Sequence, residues 1–174
     1  GPLDPPAGPI ASTNKTLQDI EPRTPIVREA GVIEIRNPGS YYLTEDLFPS
    51  EDAIRILTGG VTLDLNGFAV RGPGDAEPFA RGIDVLTSSA NEPVVITNGI
   101  VTGFPEGGIR STSGTTELVV RDVNVYDCGV GVRALVPSRI ERSNASNNSS
   151  AGVFLSVESV LRDCASCDNQ GAGF

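Results

Sequence analysis

A glycine followed by an apolar residue returns at a nearly constant interval through the second half of this chain. The pairs are Gly82-Ile83, Gly108-Ile109, Gly131-Val132, Gly152-Val153 and Gly173-Phe174, spaced 26, 23, 21 and 21 residues apart. A second motif keeps the same period. Val94-Val95-Ile96, Leu118-Val119-Val120, Arg139-Ile140 and Val160-Leu161 precede Asn98, Asp122, Arg142 and Asp163. Each period thus holds at least two short strands, separated by Asn, Asp, Gly or Ser turns that tolerate left-handed backbone. A self-similar period of this length marks a solenoid, in which each residue lies about 4.8 Å above its equivalent in the coil below. A sandwich does not require turns to return at one spacing. The chain lacks the leucine-rich consensus and the Gly-rich calcium nonapeptide, which removes two other solenoids.

Composition agrees with stacked layers. The 174 residues include no Trp, 6 Phe and 3 Tyr, so the core must be built from repeated Val, Ile and Leu. The formal net charge is -9 and the pI about 4.4. That balance disfavours nucleic acid and anionic membranes, which need a basic stripe. It also disfavours polyanionic substrates unless Ca²⁺ bridges the charges, so Ca²⁺ is the one cofactor considered. No apolar run reaches the length that spans a bilayer. Cys128, Cys164 and Cys167 have no His and no second CxxC beside them. They are expected to be small buried hydrophobes, with a local disulfide as the alternative and no metal site.

The segments "KTLQDIEPRTPI" (15–26), "NPGSYYLTEDL" (37–47) and "GVTLDLNGF" (60–68) resemble bacterial secreted right-handed parallel β-helix repeat proteins of the pectin-lyase-like superfamily. The resemblance runs over nearly the whole chain. It implies an all-β, right-handed parallel β-helix of about five to seven coils. It also implies export, to the medium, the periplasm or the cell surface. The group's function is unknown, so the resemblance specifies a fold and no activity.

Residues 1–14 read as an extended Pro- and Gly-rich arm. Residues 15–36 read as an N-terminal cap, with a short helix over 16–21 and a strand over Gly31–Arg36. The β-helix occupies 37–174, and its repeat reaches Gly173-Phe174 with no capping segment after it. Gly173 and Phe174 are therefore expected to mark an open end. Either a longer chain continues there, or a second copy covers it.

Stacking turns sequence positions into columns. With Ile83, Ile109, Val132 and Val153 inward, Asp84, Arg110, Arg133 and Phe154 form an outward column that suits a sugar. Thr97, Arg121, Glu141 and Arg162 form another, next to Asn98, Asp122, Arg142 and Asp163; both alternate in sign and are expected to pair as ion ladders. Catalysis has little to draw on. The absence of His excludes Ser-His-Asp and Cys-His arrangements. Asp64 and Asp84 are the only weak candidates for a carboxylate pair.

The expected function is a non-catalytic extracellular module that binds carbohydrate or protein and self-associates through its C-terminal end. A polysaccharide lyase or glycoside hydrolase, and a fragment of a longer adhesin or tail fibre, are the alternatives. No nucleic acid and no membrane insertion are expected.

Overall fold

The computed structural model describes residues 22–27, 30–87, 92–112, 117–156 and 158–173. The arm over 1–14, the helix expected over 16–21 and Phe174 lie outside them. The described chain is almost entirely short strands. They are β1 (Thr24–Ile26), β2 (Ile33–Ile35), β3 (Gly39–Leu43), β4 (Ile54–Ile56), β5 (Val61–Asp64) and β6 (Ala69–Arg71). After a single 3-10 turn at Gly74–Ala76 come β7 (Arg81–Val85), β8 (Val94–Thr102), β9 (Gly107–Ser111) and β10 (Leu118–Tyr126). The last six are β11 (Val132–Ala134), β12 (Ser138–Glu141), β13 (Asn144–Ser146), β14 (Val153–Leu155), β15 (Val160–Arg162) and β16 (Ala165–Cys167).

Every strand pairing among them is parallel, and no two strands consecutive in sequence pair with each other. That is a parallel β-solenoid of about six turns. Its cross-section has three flanks. The first carries β1, β3, β5, β12, β15 and the leading halves of β8 and β10. The second carries β6, β13, β16 and the trailing halves of β8 and β10. The third is a separate six-stranded sheet in the order β14-β11-β9-β7-β4-β2. The strand expected over Gly31–Arg36 is realised as β2, the end strand of that sheet.

The corners explain the Asn and Asp of the repeat. Asn98, Asp122, Arg142 and Asp163 stand at φ 60, 54, 45 and 52°, and Gly103, Asp127, Asn147 and Asp168 turn the next corner at φ 76, 53, 52 and 55°. Left-handed backbone costs Asn and Asp little, because their short polar side chains bond locally. Arg142 is the exception by residue type. Its guanidinium grips Asp122 of the coil below through two hydrogen bonds, at 2.8 and 2.7 Å.

Inside, side chains stack by type. Ile54, Ile83, Ile109, Val132 and Val153 form one buried column, and Leu63, Ile96, Val120 and Ile140 another. Towards the C-terminal coils one interior column becomes polar while the others stay apolar. One position reads Phe104, Cys128, Asn148, Asn169 in successive coils. The Cys128 N–H donates to Asn148 Oδ1 at 3.1 Å, and the Asn148 N–H and Nδ2 donate to Asn169 Oδ1 at 3.0 and 2.8 Å. Asn148 is fully buried, so this ladder supplies the partners that its amide requires.

The recurring glycine has a steric cause. A methyl at Gly82 would collide with the Gly108 carbonyl, one at Gly131 with the Gly152 carbonyl, and one at Gly152 with the Ser166 hydroxyl. At these three coils the next coil passes too closely for a Cβ, whereas the earlier coils carry Val32 and Ala53 at the equivalent position. Gly107, one residue before the motif, has its nearest such contact at 3.4 Å, from the Val130 carbonyl. Gly131→Ala is therefore expected to cost about 1–3 kcal/mol of unfolding free energy. Gly107→Ala is expected to stay within about 0.5 kcal/mol of the parent. Urea unfolding followed by circular dichroism measures both, and equal losses would contradict the steric account.

Candidate functional site

The outward column predicted from the Gly-apolar pairs exists in register. Asp84 pairs with Arg110, Arg110 with Arg133, and Arg133 with Phe154. The column also runs further back, to Arg55 and Glu34. Those two escape the motif because Ala53 and Val32 stand where later coils carry the glycine. The alternation Ile33-Glu34-Ile35 and Ile54-Arg55-Ile56 was the available signal. All six residues lie on the outer side of the six-stranded sheet, whose inward residues Ile83, Ile109 and Val132 sit in the core.

The column is not uniformly exposed. Asp84 is only 1% exposed, whereas Phe154 is 49% exposed. Arg81 folds over Asp84, with its Nη1 3.4 Å from Oδ2, while Oδ1 has no hydrogen-bond partner among the described residues. Asp52 binds the group from beneath. It accepts from Arg55 Nη2 at 2.8 Å and from the Arg81 N–H at 2.9 Å. Arg110 pairs with Glu106 at 3.2 Å. Arg133 makes no ion pair among the described residues and instead lies over the Phe154 ring, 5.6 Å from its centroid. Burial pushes the Asp84 carboxyl above its ordinary range, and the charges of Arg81 and Arg110 only partly offset this.

Asp64, the other carboxylate candidate, lies on the ten-stranded sheet and is fully engaged. It receives Arg23 Nη1 at 3.2 Å, the Asn66 N–H at 2.7 Å and Asn98 Nδ2 at 3.2 Å. Arg23 in turn stacks on Tyr42, 4.5 Å from the ring centroid. Asp64 and Asp84 thus belong to different flanks, whereas glycoside hydrolysis needs two carboxyl groups across one bond. The described residues hold no group of three or more His, Cys, Asp or Glu able to share a metal ion.

The sign-alternating columns form as stacked neighbours. Thr97, Arg121, Glu141 and Arg162 are in register. Arg121 reaches Glu141 at 3.7 Å, and Arg142 reaches Asp122 at 2.7 Å. Arg162 turns to its chain neighbour Asp163, also at 3.7 Å. The cysteines divide by depth. Cys128 is buried, and burial pushes its thiol up to about 12, whereas Cys164 is half-buried and Cys167 exposed; all three are free. The reading of all three as buried hydrophobes therefore holds for Cys128 alone.

At the last described coil, Gly173 closes inward. Its carbonyl accepts from the Val153 N–H at 2.9 Å and from Ser166 Oγ at 2.6 Å. The apolar surface there is on β15, where Val160 is 53% and Leu161 39% exposed. A groove of about 480 Å³ lies at the other end of the solenoid, against Gly31, Ile33, Leu47, Phe48 and Ala53, with no charged side chain among the described residues of its wall.

The raised Asp84 carboxyl has a pH consequence. The folded state holds this proton more tightly than the unfolded chain does. Stability from this group is therefore present at low pH and is lost as pH rises from about 3.8 through the higher folded value. Asp84→Asn removes the titration. The melting temperature of the variant is expected to gain on that of the parent as pH rises across this window; a constant difference would refute the assignment. No protein-family model, no curated protein and no solved structure matches the chain.

Proposed function

We propose that this chain is a non-catalytic, extracellular, right-handed parallel β-helix module that binds carbohydrate along the outer face of its six-stranded sheet. The single observation that carries the reading is the register of Arg110, Arg133 and Phe154 in three consecutive coils. Their strands are spaced about 4.8 Å apart, the scale of one sugar ring. An exposed aromatic face with guanidinium donors beside it supplies what a sugar needs, an apolar platform and directional hydrogen bonds. Parallel β crossovers are right-handed in about 98% of cases, which supports the handedness. Export and the pectin-lyase-like likeness rest on the resemblance of the segments 15–26, 37–47 and 60–68.

A lyase or hydrolase acting on polysaccharide is the competing reading. It has to work with Asp84 covered by arginine and Asp64 held in an ion pair on another flank. A glycan array followed by calorimetry tests the proposal, with reducing-sugar and unsaturated-product assays alongside. Binding is expected without turnover, and Phe154→Ala is expected to weaken it roughly tenfold, the equivalent of about 1.4 kcal/mol. Turnover that disappears in Asp84→Asn or Asp64→Asn would replace binding with catalysis.

Self-association belongs to the same proposal. Leu161 continues the inward column Leu63, Ile96, Val120 and Ile140, yet no described strand lies beyond β15. Exposed Val160 and Leu161 on β15 suit burial against another chain. The proposed occupant is the matching end of a second copy. Sedimentation velocity is expected to show a concentration-dependent dimer that Leu161→Glu converts to monomer. A parent that stays monomeric at high concentration would remove this part of the proposal.

A further inference from the structure

Charge alternates along the outward column of the six-stranded sheet and then stops alternating. Glu34, Arg55, Asp84 and Arg110 follow one another as acid, base, acid, base. The next step places Arg133 directly beside Arg110, and the column then ends on Phe154. Like charges opposite each other on neighbouring strands are unfavourable. Glu106 neutralises Arg110 from one side at 3.2 Å, but no described carboxylate pairs with Arg133. Both guanidinium groups also carry a buried Nε–H with no hydrogen-bond acceptor among the described residues. Those Nε–H groups are sealed from solvent, as are those of Arg81 and Arg121, so an acceptor from outside meets the terminal Nη groups of the two forks. The chain as a whole is acidic at -9, which makes this local pairing of two arginines the more unusual.

We infer that Arg110 and Arg133 form a site for one oxyanion, a carboxylate or sulfate group borne by the carbohydrate ligand, whose ring lies against the exposed part of Phe154. This rests on the carbohydrate reading above and names its ligand class. The geometry suits the chemistry. Two forks one strand spacing apart can each donate to a different oxygen of a single oxyanion, and charge-assisted bonds of this kind are the strong ones. The Arg133 guanidinium carbon lies 5.6 Å from the Phe154 ring centroid, so the ring helps to hold the cation next to Arg110. The bound oxyanion restores the alternation that the protein column breaks.

Calorimetry at low ionic strength tests the inference, using a neutral, a carboxylated and a sulfated oligosaccharide of equal length, and sodium sulfate alone. The parent is expected to bind the charged oligosaccharides at least tenfold more tightly than the neutral one; the stronger of the two identifies the group. Arg133→Gln and Arg110→Gln are each expected to bring the charged-over-neutral affinity ratio down to about one, whatever affinity for the neutral sugar they also lose. Arg133→Lys, which keeps charge without the fork, is expected to recover only part of it. Melting temperature reports folding independently. Without ligand, Arg133→Gln is expected to melt at or above the parent, because a like-charge contact is relieved. Equal affinity for charged and neutral sugars, or a preference that survives both Gln variants, overturns the oxyanion site and leaves the carbohydrate reading standing. Sulfate that raises the melting temperature of the parent but not of Arg133→Gln, with no sugar bound, keeps the oxyanion site and removes the carbohydrate reading. Binding of neither overturns both.

Discussion

Close approach of successive backbones at one corner of the coil sets the terms for everything else in this molecule. Gly82, Gly108, Gly131 and Gly152 occupy that corner, and nothing larger fits against the carbonyl or side chain above. Once the corner is fixed, register is fixed, because a slip of one residue would reverse every inward and outward side chain. The inward column of Ile54, Ile83, Ile109, Val132 and Val153 and the outward column of arginines are then two sides of the same constraint. The outward side chains are placed by the backbone of a neighbouring coil rather than by any local turn.

Stacking also brings charges together, and the coil handles them in two ways. On the ten-stranded sheet, Arg121 with Glu141 and Asp122 with Arg142 pair across coils in partly or fully exposed positions, where such pairs contribute little free energy but oppose misregister. On the six-stranded sheet the charges go deeper. Asp84 is covered, Asp52 is bonded to both the Arg55 side chain and the Arg81 backbone, and the charges of Arg55, Arg81 and Arg110 act on Asp84. The first arrangement specifies the fold. The second creates a surface with directed donors, which is why the functional reading rests there.

Much of this organisation is legible in the residues themselves. Equal spacing of Gly-apolar pairs forces equal residues into columns, so Asp84, Arg110, Arg133 and Phe154 can be aligned without coordinates. Alternation says which way a side chain points, not how far it is covered. Asp84 points outward and is buried all the same, because the long Arg81 side chain crosses above it. The early members Glu34 and Arg55 were harder to see, since Val32 and Ala53 replace the glycine and a longer excursion separates their coils from the regular ones. Asn148 and Asn169 read as turn residues by composition, yet they point inward and carry a hydrogen-bonded ladder, a distinction that depends on the corner immediately before them. The exposure of Cys167 likewise follows from its place at the end of β16, the last described strand, rather than from its chemistry.

The interior gradient from Phe104 through Cys128 to Asn148 and Asn169 gives the rod a polarity in the mechanical sense. In a solenoid, stability is close to a sum over neighbouring coil interfaces. The early interfaces draw on apolar area, whose contribution carries a large heat capacity, while the late ones draw on amide hydrogen bonds that water can replace. The neighbouring columns stay apolar, with Val132, Ile140 and Val153 buried, so a single seam of the rod trades hydrophobic contact for directional bonding from one coil to the next.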